Sequence, residues 1–226
     1  MVHQLTAPPL AKGQHYRMPL DEFLEFVPEN WHAEWVDGEG YIFMTTDMRH
    51  GRVLMFFLGL VSLYVDLFDL GEVFCPTYSV RLRGGRSYRE PDLFVVLKEH
   101  RDRIRKNGVH GPADFILEAL SDDDPDRDRV EKFREFEAEG VPEYVYVDPR
   151  ENPDDLIGFF RRDASGTFQP VLPDEQGCYH SEVLPGFWID PAWLLQDPLP
   201  SIIDTIMLIA PDAYRQRLLG GPADPA

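Results

Sequence analysis

Asp92 stands at the head of "DLFVVL", a run too apolar for a loop, and Glu118 interrupts a second such run, "DFILEAL". A glutamate between Leu117 and Ala119 is costly to bury unless a charge answers it. A divalent cation is one answer. Carboxylate oxygens completed by water suit Mg²⁺ or Mn²⁺ and not zinc. Lys132, early on the helical segment that follows, could orient or deprotonate a water, or neutralise a phosphoryl oxygen. Glu34, beside Trp35 on an early strand, is a further acid for such a site. Each residue also has a plainer reading. Asp92 can mark a strand-entry turn, and Glu118 can belong to a structural ion pair. Lys132 can form a solvated helix surface with Glu131, Glu135 and Glu139. Glu34 can pair within a hairpin. His50 reads as a helix-entry or core-rim histidine before it reads as a ligand, and Asp128 as a helix-start residue or a contact that supports the site. The chain carries no H-E-x-x-H, P-loop or dinucleotide fingerprint.

Positioning these groups falls to a small set of elements. "PLDEFLEFV" begins a short helix with acids in its first turn, closed by Pro28. "HAEWVDGEGYIFMTT" predicts two strands around Asp37-Gly38, a hairpin signal. Residues 48–70 form the longest helical stretch, with Gly71 placed to end it. A half-buried strand is expected over 77–82, then "DLFVVL", "DFILEAL" and "EYVYVD" as core strands. Between the last two lies a helix over 126–139, opened by Pro125 and stopped by Gly140. Strand, helix, strand of this length is a crossover unit, so its two strands should be parallel neighbours. Segments 156–162 and 167–172 read as a hairpin, and "PGFWIDPAWLL" as a covering strand and short helix. The spans expected are a loose arm over 1–17, one large domain over 18–195, and a C-terminal helix and tail over 196–226.

A charge of -18 repels phosphate backbones at long range and argues against a non-specific nucleic-acid coat protein. It leaves room for a small basic rim around an acidic centre. Arg81, Arg83, Arg86 and Arg89, around Gly84-Gly85, form a basic cluster. They could touch a phosphate backbone or make an ordinary polar turn. Cys75 and Cys178 are far apart and outside any C-x-x-C pair, which speaks against a disulfide framework or thiolate metal site. The opening residues lack the apolar core of a signal peptide. Asp66 and Asp69 interrupt the apolar run over 53–70, so it reads as a buried helix and not a membrane span.

The order of these segments resembles the Uma2 family, a large bacterial group assigned as nucleases with the restriction-endonuclease-like fold. The pieces are "EWVDGEGYIFMT", His50, "GEVFCP", "REPDLFVV", "DFILEALSDDDPDRDRVEKFREFEAEGVPEYVYVDP" and "LPGFWID". Their order, above all E-x-x-S followed by a D-x-x-x-K helix and G-V-P-E-Y, carries the likeness across roughly residues 18–195. The resemblance implies an α/β fold with a central mixed sheet flanked by helices. It makes Asp92 and Glu118 the acids of a PD-(D/E)xK site, holding Mg²⁺ or Mn²⁺. The lysine of that motif would fall at Leu120, and a lysine on the next helix, here Lys132, is thought to replace it. Glu34 and His50 match a family acid and a family histidine. Val145 and Tyr146 stand near where a tryptophan is usual, and "SDDDPDRD" is more acidic than the usual loop.

Two functions from different classes follow. One is a metal-dependent DNA endonuclease, cytoplasmic and able to form a homodimer so as to address both strands. The other is a non-catalytic or regulatory protein-binding member that keeps the fold. Hydrolysis of some other solute is a third and weaker reading. If the first holds, Asp92 and Glu118 should share one strand end, and Lys132 should reach the same cleft. Relief of carboxylate repulsion in Asp92→Asn should then raise the stability of the metal-free protein.

Overall fold

The computed structural model describes residues 14–28, 31–42, 48–120, 127–149 and 156–220. The chain begins with strand β1 (Gln14–Arg17), helix α1 (Leu20–Phe26), and the hairpin of β2 (Ala33–Val36) and β3 (Glu39–Ile42). The hairpin turns at Asp37 and Gly38, both at positive φ (48° and 97°), as a two-residue turn of this kind requires. Helix α2 (Met48–Leu67) follows, then β4 (Gly71–Phe74), β5 (Val80–Leu82), β6 (Ser87–Arg89) and β7 (Leu93–Leu97). After β8 (Ile104–Arg105) and β9 (Gly108–His110) come β10 (Phe115–Ala119), helix α3 (Phe133–Glu139) and β11 (Glu143–Val147). Strands β12 (Ile157–Arg162) and β13 (Phe168–Pro170), and helices α4 (Ile202–Ile209) and α5 (Pro211–Leu218), complete the main elements.

Two mixed sheets result. One runs β1-β3-β2-β6-β5-β9-β8, the other β13-β12-β11-β10-β7-β4. In the second sheet β10 and β11 are parallel, with α3 on the crossover between them, and the remaining pairs are antiparallel. The chain passes directly from β6 in one sheet to β7 in the other through Glu90, Pro91 and Asp92. Pro91 has no N–H to give to a ladder, which suits it to the point where the strand changes sheets.

Alternation along the strands sorts the two faces of the six-stranded sheet. Leu93, Val95, Phe115, Leu117, Val145 and Val147 face one core, under Val53, Phe57, Leu60, Val61 and Tyr64 of α2. Phe94, Val96, Ile116 and Tyr144 face the other, with Phe136 of α3 and Val141. Helix α2 has the length and composition of a membrane span, but half of its most apolar stretch is buried in this core.

Several boundaries differ from expectation. Helix α2 stops at Leu67, and Asp69, at φ 52°, makes the turn. Gly71 instead lies in β4, where an added Cβ would stand 2.2 Å from the Val96 carbonyl oxygen. The strand expected over 77–82 is only Val80–Leu82, because Pro76 and Thr77 (φ 82°) form a turn closed by Tyr78 N–H to Cys75 O. The helix expected over 126–139 begins as a π-helical turn, Arg127–Lys132, before α3. The C-terminal segment is two helices, α4 capped by the Ser201 hydroxyl and α5 opened by Pro211. Residues 1–13, the hairpin end 43–47, the acidic stretch 121–126 and the last six residues of the tail lie outside the described residues, as does the Asp128 side chain.

Candidate active site

The pairing of β10 with β7 runs Phe115 to Val95, Ile116 to Phe94 and Leu117 to Leu93. Carried one step further, the same register sets Glu118 opposite Asp92. By strand parity both share the face of Ile116 and Phe94, the α3 side of the sheet. Each acid is tied to the backbone of the facing strand end. Ala119 N–H donates to Asp92 Oδ2 at 2.9 Å, and Asp92 N–H lies 3.4 Å from Glu118 Oε2. Lys132, at the end of the π-helical turn, brings its Nζ to 3.1 Å from Glu118 Oε1 and 3.4 Å from Glu34 Oε1. His50, near the start of α2, holds its Nε2 3.8 Å from Asp92 Oδ2. All five side chains are buried. Glu34, Asp92, Glu118 and Lys132, named from widely separated segments, are therefore one cluster, and His50 touches its edge.

Two further members had no distinguishing signal in the sequence. Arg89, the last residue of β6, donates Nη1 to Glu34 Oε2 at 2.9 Å. Its Nε and Nη2 both reach Glu135 Oε2, at 2.8 and 2.6 Å. Arg83 Nε faces the other Glu135 oxygen at 3.2 Å. The basic cluster is thus divided. Arg89 is 2 % exposed and committed to Glu34 and Glu135, Arg83 pairs with Asp37 and Glu135, and Arg86 is exposed. The solvated helix surface considered for Lys132 and Glu135 is likewise overturned, since both are buried beneath these pairings.

Electrostatics follow from this arrangement. Burial pushes the Asp92 carboxyl up, but the neighbouring His50 imidazole and the charges of Lys132 and His32 outweigh it and hold Asp92 below the usual carboxylate range. Glu90 behaves oppositely. Burial, reinforced by Glu34, pushes it up to about 7 despite bonds from Ala33 N–H and Tyr88. Burial works against the Arg89 charge, but Glu34 and Glu135 more than restore it.

The Uma2 family profile, described as "Putative restriction endonuclease", matches residues 20–192. The chain belongs to the Uma2 family. Its fold also matches the crystal structure of a "putative nuclease belonging to DUF820" from Anabaena variabilis, with a TM-score of 0.62 and 14% identity. That match covers 78% of this chain and 97% of the other. At such identity it shows a shared fold alone. No curated protein matches the chain. In this Uma2 protein the cluster gathers at the ends of β7 and β10, where the chain crosses from one sheet to the other. Among the described residues, however, no group of three or more His, Cys, Asp and Glu side chains forms a ready metal cage.

Proposed function

We propose that this chain is a metal-dependent phosphodiesterase that hydrolyses DNA. The observation that carries the reading is a buried lysine amine 3.1 Å from a buried glutamate whose strand neighbour is Asp92. Asp92 and Glu118 supply hard oxygen donors, and Asp92 is held ionised by its surroundings. Mg²⁺ is commonly held by one or two carboxylates, with water and substrate phosphate completing its shell, so the pair Asp92 and Glu118 suits it. Bound there, the ion would supply Lewis acidity toward a phosphoryl oxygen and make water more acidic. Lys132 contributes a fixed positive charge beside that position, able to orient the attacking water or offset charge developing on the phosphoryl group. The Ala119 N–H holds Asp92 in place. Glu34 holds Lys132 from the far side.

A non-catalytic, protein-binding role is the second reading. It is favoured by the amine of Lys132 already lying between two carboxylates, and by the net charge of -18. Calorimetric Mn²⁺ titration of wild type and Asp92→Asn separates the two, paired with cleavage assays over varied DNA substrates with and without EDTA. The nuclease reading expects Mn²⁺ binding that Asp92→Asn abolishes, and EDTA-sensitive, salt-sensitive cleavage. Wild type that binds no metal defeats it. Metal binding without cleavage of any DNA moves the function to another substrate.

A further inference from the structure

Glu34 serves two cations at once. Its Oε2 accepts from Arg89 Nη1 at 2.9 Å, while its Oε1 lies 3.2 Å from Glu90 N–H and 3.4 Å from Lys132 Nζ. The shorter contact goes to Arg89, and Lys132 lies closer to Glu118 than to Glu34. The other donors of Arg89 close on Glu135, three residues beyond Lys132 on the same helical path. One guanidinium at the end of β6 therefore binds β2 and the helix that carries the lysine. Glu34, Arg89, Glu135 and Lys132 are at most 3 % exposed, so their attractions are little screened by water.

We propose that Arg89 is a positioning residue for Lys132: by sharing Glu34 and anchoring Glu135, it keeps the lysine amine directed at Glu118 and the strand end of Asp92. This rests on the reading of Lys132 as the group that acts beside the phosphate. Without Arg89 the attraction between Glu34 and Lys132 is no longer shared, and the amine is drawn toward Glu34. Glu135 keeps Arg83, 3.2 Å away, so the larger change falls on Glu34. Arginine suits the position because its planar fork spans two carboxylates, which an ammonium point charge does not.

The test is a set of crystal structures with DNA-cleavage kinetics and Mn²⁺ calorimetry for wild type, Arg89→Met, Arg89→Lys and Arg89→Met/Glu34→Gln. In Arg89→Met, Nζ of Lys132 should leave Glu118 for Glu34. The value of kcat should fall about 100-fold, the scale of an ångström-sized misplacement. KM and the number of Mn²⁺ sites per chain should hold, which separates misplacement from loss of folded protein. Arg89→Lys should fall between. Adding Glu34→Gln should return the amine to Glu118 and recover about tenfold in kcat, since the amide no longer competes as an anion. Should Arg89→Met fail to fold, Arg89→Met/Glu135→Gln removes the second carboxylate and is read in the same way. An amine that stays on Glu118 when Arg89 is lost overturns the inference, as does a second change at Glu34 that recovers nothing. If wild type cuts no DNA, the crystallographic position of the amine still decides the role of Arg89, while the nuclease reading falls separately.

Discussion

Asp92→Asn in metal-free protein tests the electrostatics of the cluster without any assumption about catalysis. Simple repulsion between Asp92 and Glu118 would make the amide stabilising. The geometry reverses that expectation. His50, Lys132 and His32 together hold the Asp92 carboxyl below its ordinary range despite burial, so the fold favours the carboxylate over its neutral form. The amide can still accept from Ala119 N–H but gives up the charge-assisted part of these contacts. A hydrogen bond to a charged group contributes about 1.5–3 kcal/mol, and that is the expected loss at pH 7. Because the folded value is depressed, the contribution is complete above the unfolded carboxylate value of about 3.9 and is lost as pH falls through the still lower folded value. Urea unfolding in EDTA, from pH 8 down to the acid limit of the fold, should show a gap between wild type and variant that persists down to about pH 5 and narrows below about 4. An amide variant as stable as wild type at pH 7, or a gap indifferent to pH, refutes this reasoning. Adding Mn²⁺ at about 100 times its Kd should widen the gap by about 2.7 kcal/mol, because only wild type gains.

Lys132→Met should lower DNA-cleavage kcat by about 100-fold or more, while calorimetry shows Mn²⁺ affinity changed far less. Glu90→Gln should stabilise the protein at pH 8 by up to about 3 kcal/mol. Burial raises the Glu90 carboxyl to about 7, so the cost of ionising it builds as pH rises from the unfolded value of about 4.3 and is complete above about 7, and the gain should vanish as unfolding is followed down toward about pH 4. Phe57→Ala, removing a fully buried ring between α2 and the sheet, should cost about 3–5 kcal/mol in urea unfolding. Gly71→Ala should destabilise despite its small size, since its methyl meets the Val96 carbonyl, and thermal unfolding would show it.

The parts of this protein legible in its sequence are those set by local chemistry. Mostly apolar runs marked β7, β10 and β11, because a strand buried on both faces needs no alternation. Asp37-Gly38 marked the hairpin and Gly140 the end of α3, where φ reaches 90°, because few residues accept a left-handed backbone. Asp92 and Glu118 stood out because an acid in or beside such a run demands an explanation. The breaks within α4–α5 and the shortening of β5 were less legible, since helix and strand patterns continue across Pro211 and Thr77 while the backbone does not. Only the tertiary structure decided the state of Arg89, Lys132 and Glu135. Arginine in a turn-rich segment and Lys-Glu spacing on a helix are ordinary surface features in a sequence. Their burial depends on which strand lies beneath the helix and what counter-charge it carries. The closing of the two sheets at Pro91 brought Glu34, Arg89 and Glu118 under the same turn of helix, a long-range fact that no local pattern encodes.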